Sequence, residues 1–266
     1  MNTNFSTENS HMEPPNAIYA HSTVSTEPPN AIYAHSTVST EPPNAIYAHS
    51  TVSMEPPHVY WARLMLSAII NGNGITTYRH TNGPVYWGPH DNQPKYVSIT
   101  DCSGFVNALL RKAYNLPIGW DHVNRAYAST YYRMINEQKY FYKITNINQA
   151  LVGDFIVFKI LPGTSKSDNT GHIMLINAKP IQIQPTNPFI KDTIQWAVNI
   201  IDQSSAHGTN DTRYHKKITG LGSGYLRMYT DFQGNLQGYS WSTDPKSIYI
   251  DKSVHPLVIG RFKLLI

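Results

Sequence analysis

The apolar positions from residue 58 onward follow two different periods. Residues 61–70 space Ala, Leu, Met and Ile as a helix does and stop at Asn71-Gly72-Asn73-Gly74, a C-terminal cap. A loop rich in Gly, Pro and Asn follows. Phe105, Leu109, Leu110 and Ala113 then form one apolar face, predicting a buried helix whose N-cap is Thr100 or Asp101. Residues 151–160 read as a turn at Gly153-Asp154 followed by a strand, and a second strand begins at His172. These two can pair as a hairpin. A further strand is expected over residues 195–202, and the short alternating runs around Tyr225, Tyr229, Tyr239, Trp241 and Tyr249 predict a strand-rich C-terminal part. Sheet and core packing is the expected role of those aromatic residues, with the lining of a sugar or peptide groove as the alternative. The expected class is α+β, with a helix packed on an antiparallel sheet.

The N-terminal part is different in kind. Residues 13–26, 27–40 and 41–54 are nearly identical copies of E-P-P-N-A-I-Y-A-H-S-T-V-S-T, and Glu55-Pro56-Pro57 begins another. Each copy offers only Ala, Ile, Tyr and Val to bury, too little to offset roughly 1–2 kcal/mol of backbone entropy per ordered residue. Residues 1–57 are therefore expected to be a disordered, polyproline-punctuated tail, and residues 58–266 a folded domain. The first dozen residues lack the basic and apolar segments of a Sec signal, which predicts a cytoplasmic protein or export by a specialised system.

Charge sharpens this division. The net charge is +4, yet no Lys or Arg precedes Arg63 whereas five glutamates do. The domain thus holds all 21 basic residues against 12 acidic ones, a charge of about +9 that favours an anionic substrate or surface. One cysteine excludes a disulfide framework and a cysteine-ligated zinc cluster, and no apolar run approaches a membrane span. Gly220-Leu-Gly-Ser-Gly224 lacks the lysine of a phosphate loop, so no nucleotide or nucleic-acid partner is expected.

The single thiol, Cys102, falls in the first turn of the second predicted helix, between Asp101 and Ser103-Gly104. Unpaired amides and the positive end of the helix dipole there favour thiolate over thiol, the condition for a nucleophile. Such a nucleophile needs a base. Setting aside the histidines of the repeats and of the tail's ends, His172 at the mouth of a buried strand can reach a helix N-terminus packed on the sheet. The residue that orients its imidazole should lie on the next long strand, at Asp202, with Gln203 and His207 as alternatives. His207, Asp211 and His215 are spaced like metal ligands on a helix, but Gly208, Thr209 and Asn210 argue for a loop, and no metal is expected.

D-C-S-G-F-V, G-D-F-I-V-F and G-H-I-M-L-I, in that order, resemble the NlpC family of papain-like cysteine peptidases, which hydrolyse peptide bonds in bacterial peptidoglycan. The resemblance spans about half the chain. It implies a papain-like fold, Cys102 as nucleophile, His172 as general base and acid, Asp101 and Ser103 shaping the substrate pocket, and no cofactor. Tyr86-Trp87-Gly88 is similar to the family's Y-x-W-G-G with the tyrosine one position late, which implies Tyr86 near the oxyanion. Papain-like relatives also include deamidases and acyltransferases, so a host protein is an alternative substrate. The repeats resemble the E-P-I-Y-A phosphorylation motif of bacterial effectors with three residues inserted, which would make Tyr19, Tyr33 and Tyr47 acceptors for a host kinase and SH2-type readers. In that alternative the folded part is an inactive scaffold.

Overall fold

The computed structural model describes residues 55–161 and 169–263. The repeat array with Tyr19, Tyr33 and Tyr47, predicted to be disordered, lies outside them. Pro57, the last residue assigned to the tail, is the first residue of helix α1 (Pro57–Ile70). Proline suits that position because its missing N–H has no intrahelical acceptor there anyway. His58 in the same turn is buried, with one ring nitrogen 2.8 Å from the Gly153 carbonyl and the other 2.5 Å from the Tyr114 hydroxyl, so the helix is tied down at its start.

Three short strands follow, β1 (Gly74–Tyr78), β2 (Val85–Trp87) and β3 (Tyr96–Thr100), in the order β1-β3-β2 with β1 parallel and β2 antiparallel to β3. Sequence periodicity did not reveal them, because each is at most five residues long and half-buried. Strand β3 runs directly into α2 (Cys102–Tyr114), and α3 (Ala128–Asn136) completes the helical layer.

The larger sheet is antiparallel throughout. It contains β4 (Phe141–Ile144), β5 (Phe155–Lys159), β6 (Gly171–Ile176), β7 (Ile181–Gln182), β8 (Ile194–Ser204), β9 (Gly220–Thr230), β10 (Leu236–Ser240), β11 (Tyr249–Asp251) and β12 (Leu257–Phe262). Their order is β11-β10-β9-β8-β6-β5-β12-β4, with β7 paired to β8. The expected hairpin is β5-β6, registered with Phe158 opposite His172, and the expected third strand is β8. The chain's last strand sits inside the sheet, between β4 and β5.

Alternation along the strands separates two cores. Val157, Ile173, Leu175 and Ile201 face the helices, where they meet Phe105, Leu109, Leu110, Tyr131 and Ile135. Ile156, Phe158, Met174, Ile176, Ile200 and Met228 face the other way, and the sheet coils far enough for Tyr239 of β10 to stack on Phe158 of β5 with ring centroids 4.7 Å apart. The α+β class with an antiparallel sheet is thus observed.

Candidate active site

The junction of β3 and α2 fixes the thiol. Asp101 is the N-cap, as the sequence predicts: its Oδ1 accepts the Gly104 N–H at 2.7 Å and the Ser103 hydroxyl at 3.0 Å, while Oδ2 pairs with Arg125. A cap of this type contributes about 1 kcal/mol. The turn is so tight that a Cβ on Gly104 would lie 2.0 Å from the Thr100 Oγ1, which accounts for glycine in the first helical turn. Cys102 is 5% exposed and sits in the wall of a small cleft of about 90 Å³ with Tyr78, His80, Asp101, Ser103, Arg125 and Tyr127. Asp101 and Ser103 both line this cleft and are bonded to each other.

His172 arrives from the sheet. Gly171 before it has φ +129°, and a Cβ there would lie 2.1 Å from the Phe158 carbonyl oxygen, so only glycine lets β6 begin one residue ahead of the imidazole. The ring lies between Phe158 and Trp241, with centroids 6.0 and 5.2 Å away. Its Nε2 donates to Asp202 Oδ2 at 2.6 Å, which leaves Nδ1 as the ring nitrogen open to other groups. Burial alone would lower the pKa of this histidine. The nearby Cys102 together with the hydrogen bond to Asp202 and its charge outweigh burial and raise it to about 10.

Asp202 is almost completely buried on β8, opposite Gly222 of β9. Burial would raise its carboxyl pKa, but the Arg213 guanidinium, followed by His207 and His172, holds it well below the usual carboxylate range. Arg213 Nη2 lies 2.9 Å from Asp202 Oδ1 and 2.6 Å from Asp211 Oδ2.

The other residues singled out in the sequence divide clearly. Gln203, one pleat along from Asp202, points to the opposite side and donates to the carbonyls of Thr77, Ser98 and Thr100 at 2.9–3.2 Å, so it clamps the three-stranded sheet and does not meet His172. His207 contacts Asp202 and not His172: its Nε2 is 2.9 Å from the same Oδ2. Residues 207–215 form turns, with His215 exposed, so the i, i+4 spacing does not assemble a helical ligand set.

Tyr86 is corrected by the register. It lies opposite Val97 on the outer strand β2 and is 42% exposed, whereas Tyr78 lies opposite Thr100, next to the thiol. Three residues of strand separate these positions, roughly 10 Å. Trp87 of the same motif is a core residue, 5.6 Å from the ring of Trp61. Tyr78 is half-buried in the cleft wall, and burial together with the charges of Cys102, Asp101 and Asp202 pushes its hydroxyl pKa far up, so it stays a donor. Sequence reasoning missed Tyr78, Arg213 and Trp241. Each comes from a turn or a short element whose approach to Cys102 or Asp202 leaves no local pattern.

Among the described residues, His172, Asp202 and His207 are the acidic and imidazole groups close enough to share a metal ion, with ligand atoms within 4.8 Å of one another. Their geometry is that of hydrogen bonds. Zinc ligands at 2.0–2.1 Å in tetrahedral array stand about 3.3 Å apart, beyond the 2.6 and 2.9 Å found here, and Arg213 already neutralises the carboxylate. The contacts present form a buried imidazole–carboxylate–imidazole hydrogen-bond chain.

No helix among the described residues is long and apolar enough to cross a membrane. No family model matches the chain, and no solved structure matches it. The chain is 47% identical over 216 residues to "Uncharacterized protein R653" of Acanthamoeba polyphaga mimivirus, an alignment covering 77% of this chain and 95% of that one. At that identity and coverage, the chain belongs to the same family as the mimivirus protein R653.

Proposed function

We propose that this protein is a cysteine peptidase of NlpC-type, papain-like architecture that hydrolyses amide bonds in peptidoglycan stem peptides. The observation that carries the reading is the buried His172–Asp202 pair on two neighbouring strands, with buried Cys102 at a helix N-terminus close enough to influence the imidazole. The order of the D-C-S-G, G-D-F and G-H motifs along a helix packed on an antiparallel sheet supports the architecture.

Chemistry follows from the atoms present. The Cys102 Sγ thiolate attacks the amide carbonyl carbon, and the developing oxyanion finds the Cys102 and Ser103 amides, which lie in the first helical turn and have no intrahelical acceptor. The Tyr78 hydroxyl in the cleft wall is a third donor. His172 Nδ1 gives its proton to the leaving amine, the C–N bond breaks, and a thioester remains. Water deprotonated by the now neutral imidazole attacks the thioester and releases the acid. Throughout, Asp202 holds the Nε2 proton and fixes the ring plane. The basic domain suits the anionic cell wall as substrate.

The test is digestion of purified peptidoglycan with wild type and Cys102→Ala, with product masses read by mass spectrometry. Release of stem peptides by wild type alone supports the proposal. Products from both proteins, or from neither, overturn it, and modification of a protein in host lysate with no muropeptide product reassigns the substrate.

A further inference from the structure

Two imidazoles share one carboxylate oxygen in this site. His207 Nε2 lies 2.9 Å from Asp202 Oδ2, and its Nδ1 lies 2.6 Å from the carbonyl oxygen of Trp241. A backbone carbonyl only accepts, so Nδ1 carries a hydrogen. The ionised Asp202 carboxylate also only accepts, so Nε2 carries one too. His207 is therefore a donor at both nitrogens, an imidazolium that is 1% exposed. The Trp241 indole stacks on it with centroids 4.0 Å apart and planes inclined by 21°, a cation held against an aromatic face.

The surrounding contacts agree with this donor pattern. The Asp202 carboxylate accepts from His172, His207 and Arg213, and Asp211 pairs with Arg213 on its other side. Asp211 Oδ2 also accepts the His207 backbone N–H at 2.9 Å, so the same carboxylate holds both the histidine's backbone and Arg213. Other titratable groups near the cluster include Asp244, which accepts the Thr209 N–H and hydroxyl beside Gly208, Asp101, already paired with Arg125, and the hydroxyls of Tyr78 and Tyr131, both kept protonated chiefly by burial. A neutral His207 would leave a buried carbonyl or carboxylate facing a lone pair, an unsatisfied and repulsive contact.

We infer that His207 is a positioning residue: a fixed buried cation that divides Asp202 with His172 and so limits how tightly the catalytic imidazole holds its proton. The consequence is chemical. His172 must surrender a proton to the leaving amine in each turnover, and an undivided Asp202 would hold the imidazolium too strongly. This role rests on the cysteine-hydrolase reading for its purpose, but not for its test.

The test uses the full chain and no substrate. In wild type, nitrogen NMR of the labelled histidines at pH 8 is expected to find both ring nitrogens of His207 protonated; a neutral ring overturns the inference. In His207→Gln, which keeps a neutral donor, the pH profile of iodoacetamide reaction at Cys102 is expected to move its alkaline limb upward by about one pH unit, the scale of a unit charge removed within ~6 Å. An unmoved limb in a folded variant overturns the inference as well. A purely structural His207 lowers the melting temperature and leaves that limb in place. If the variant does not fold, the wild-type spectrum decides alone. Failure of peptide hydrolysis with both results as expected counts against the hydrolase reading and not against this one.

Discussion

Asp202 Oδ2 lies 2.6 Å from His172 Nε2 across a separation of 30 residues, on adjacent antiparallel strands. Residues 175 and 201 are direct partners in that ladder, so Asp202 and His172 fall on the same face and lie diagonally. The length of the connection, which carries β7, is irrelevant to the contact. The ladder alone decides it.

Cys102→Ala removes the proposed nucleophile and one small buried group. Hydrolysis is expected to fall by roughly 10⁴-fold or more, with a stability loss of only about 1 kcal/mol. Turnover of a stem-peptide substrate, with denaturant melts run in parallel, separates the two effects.

Asp202→Asn keeps the shape and deletes the charge. With its carboxylate gone, His172 binds a proton less tightly, so the alkaline limb of kcat/KM, expected near pH 10 in wild type, moves down. Turnover is expected to drop by roughly 10²- to 10⁴-fold. Arg213 also loses a buried partner, and stability should fall by about 3–5 kcal/mol. An alkaline limb that stays in place would show that Asp202 does not act on His172.

Stability should respond to pH at both ends. The pKa of His172 is higher in the fold than its ordinary value of 6.5, so its contribution is complete below 6.5 and is lost as pH rises through about 10. The Asp202 pKa is lower in the fold than its ordinary 3.8, so its contribution is present above 3.8 and is lost only in stronger acid. Thermal melts from pH 2 to 11 should plateau between about 3.8 and 6.5 and then fall progressively as pH rises from 6.5 toward about 10. A midpoint that stays flat between pH 7 and 10 would contradict the assigned charges.

Tyr78→Phe and Tyr86→Phe make a matched pair. Removing the Tyr78 hydroxyl from the cleft wall is expected to lower kcat by roughly 10- to 100-fold, whereas Tyr86→Phe on the exposed outer strand should leave it unchanged. Equal effects would return the oxyanion role to the motif tyrosine.

Gln203→Met removes the side-chain amide that binds three carbonyls of the small sheet, and a loss of about 2–4 kcal/mol is expected in urea melts. Because Thr77 and Thr100 flank the cleft residues Tyr78 and Asp101, the same variant should raise KM more than it lowers kcat.

Local physics makes much of this protein legible in its sequence. The cap at Asp101, the apolar face through Phe105 and Leu109, the β5-β6 hairpin and the long strand β8 all follow from residue spacing within a dozen positions. So do the nucleophile and base candidates, because a helix start and a strand start are themselves local features. The tertiary structure alone decided which neighbour of His172 is Asp202, which is Gln203 and which is His207, since one step along a pleat reverses the face and only the ladder register fixes the contact. It also decided that Tyr78, and not the motif's Tyr86, stands by the thiol, and that Arg213 and Trp241 converge on the buried carboxylate and the imidazoles. Those contacts are made by turns and short strands meeting across the fold, and no pattern within one segment encodes them.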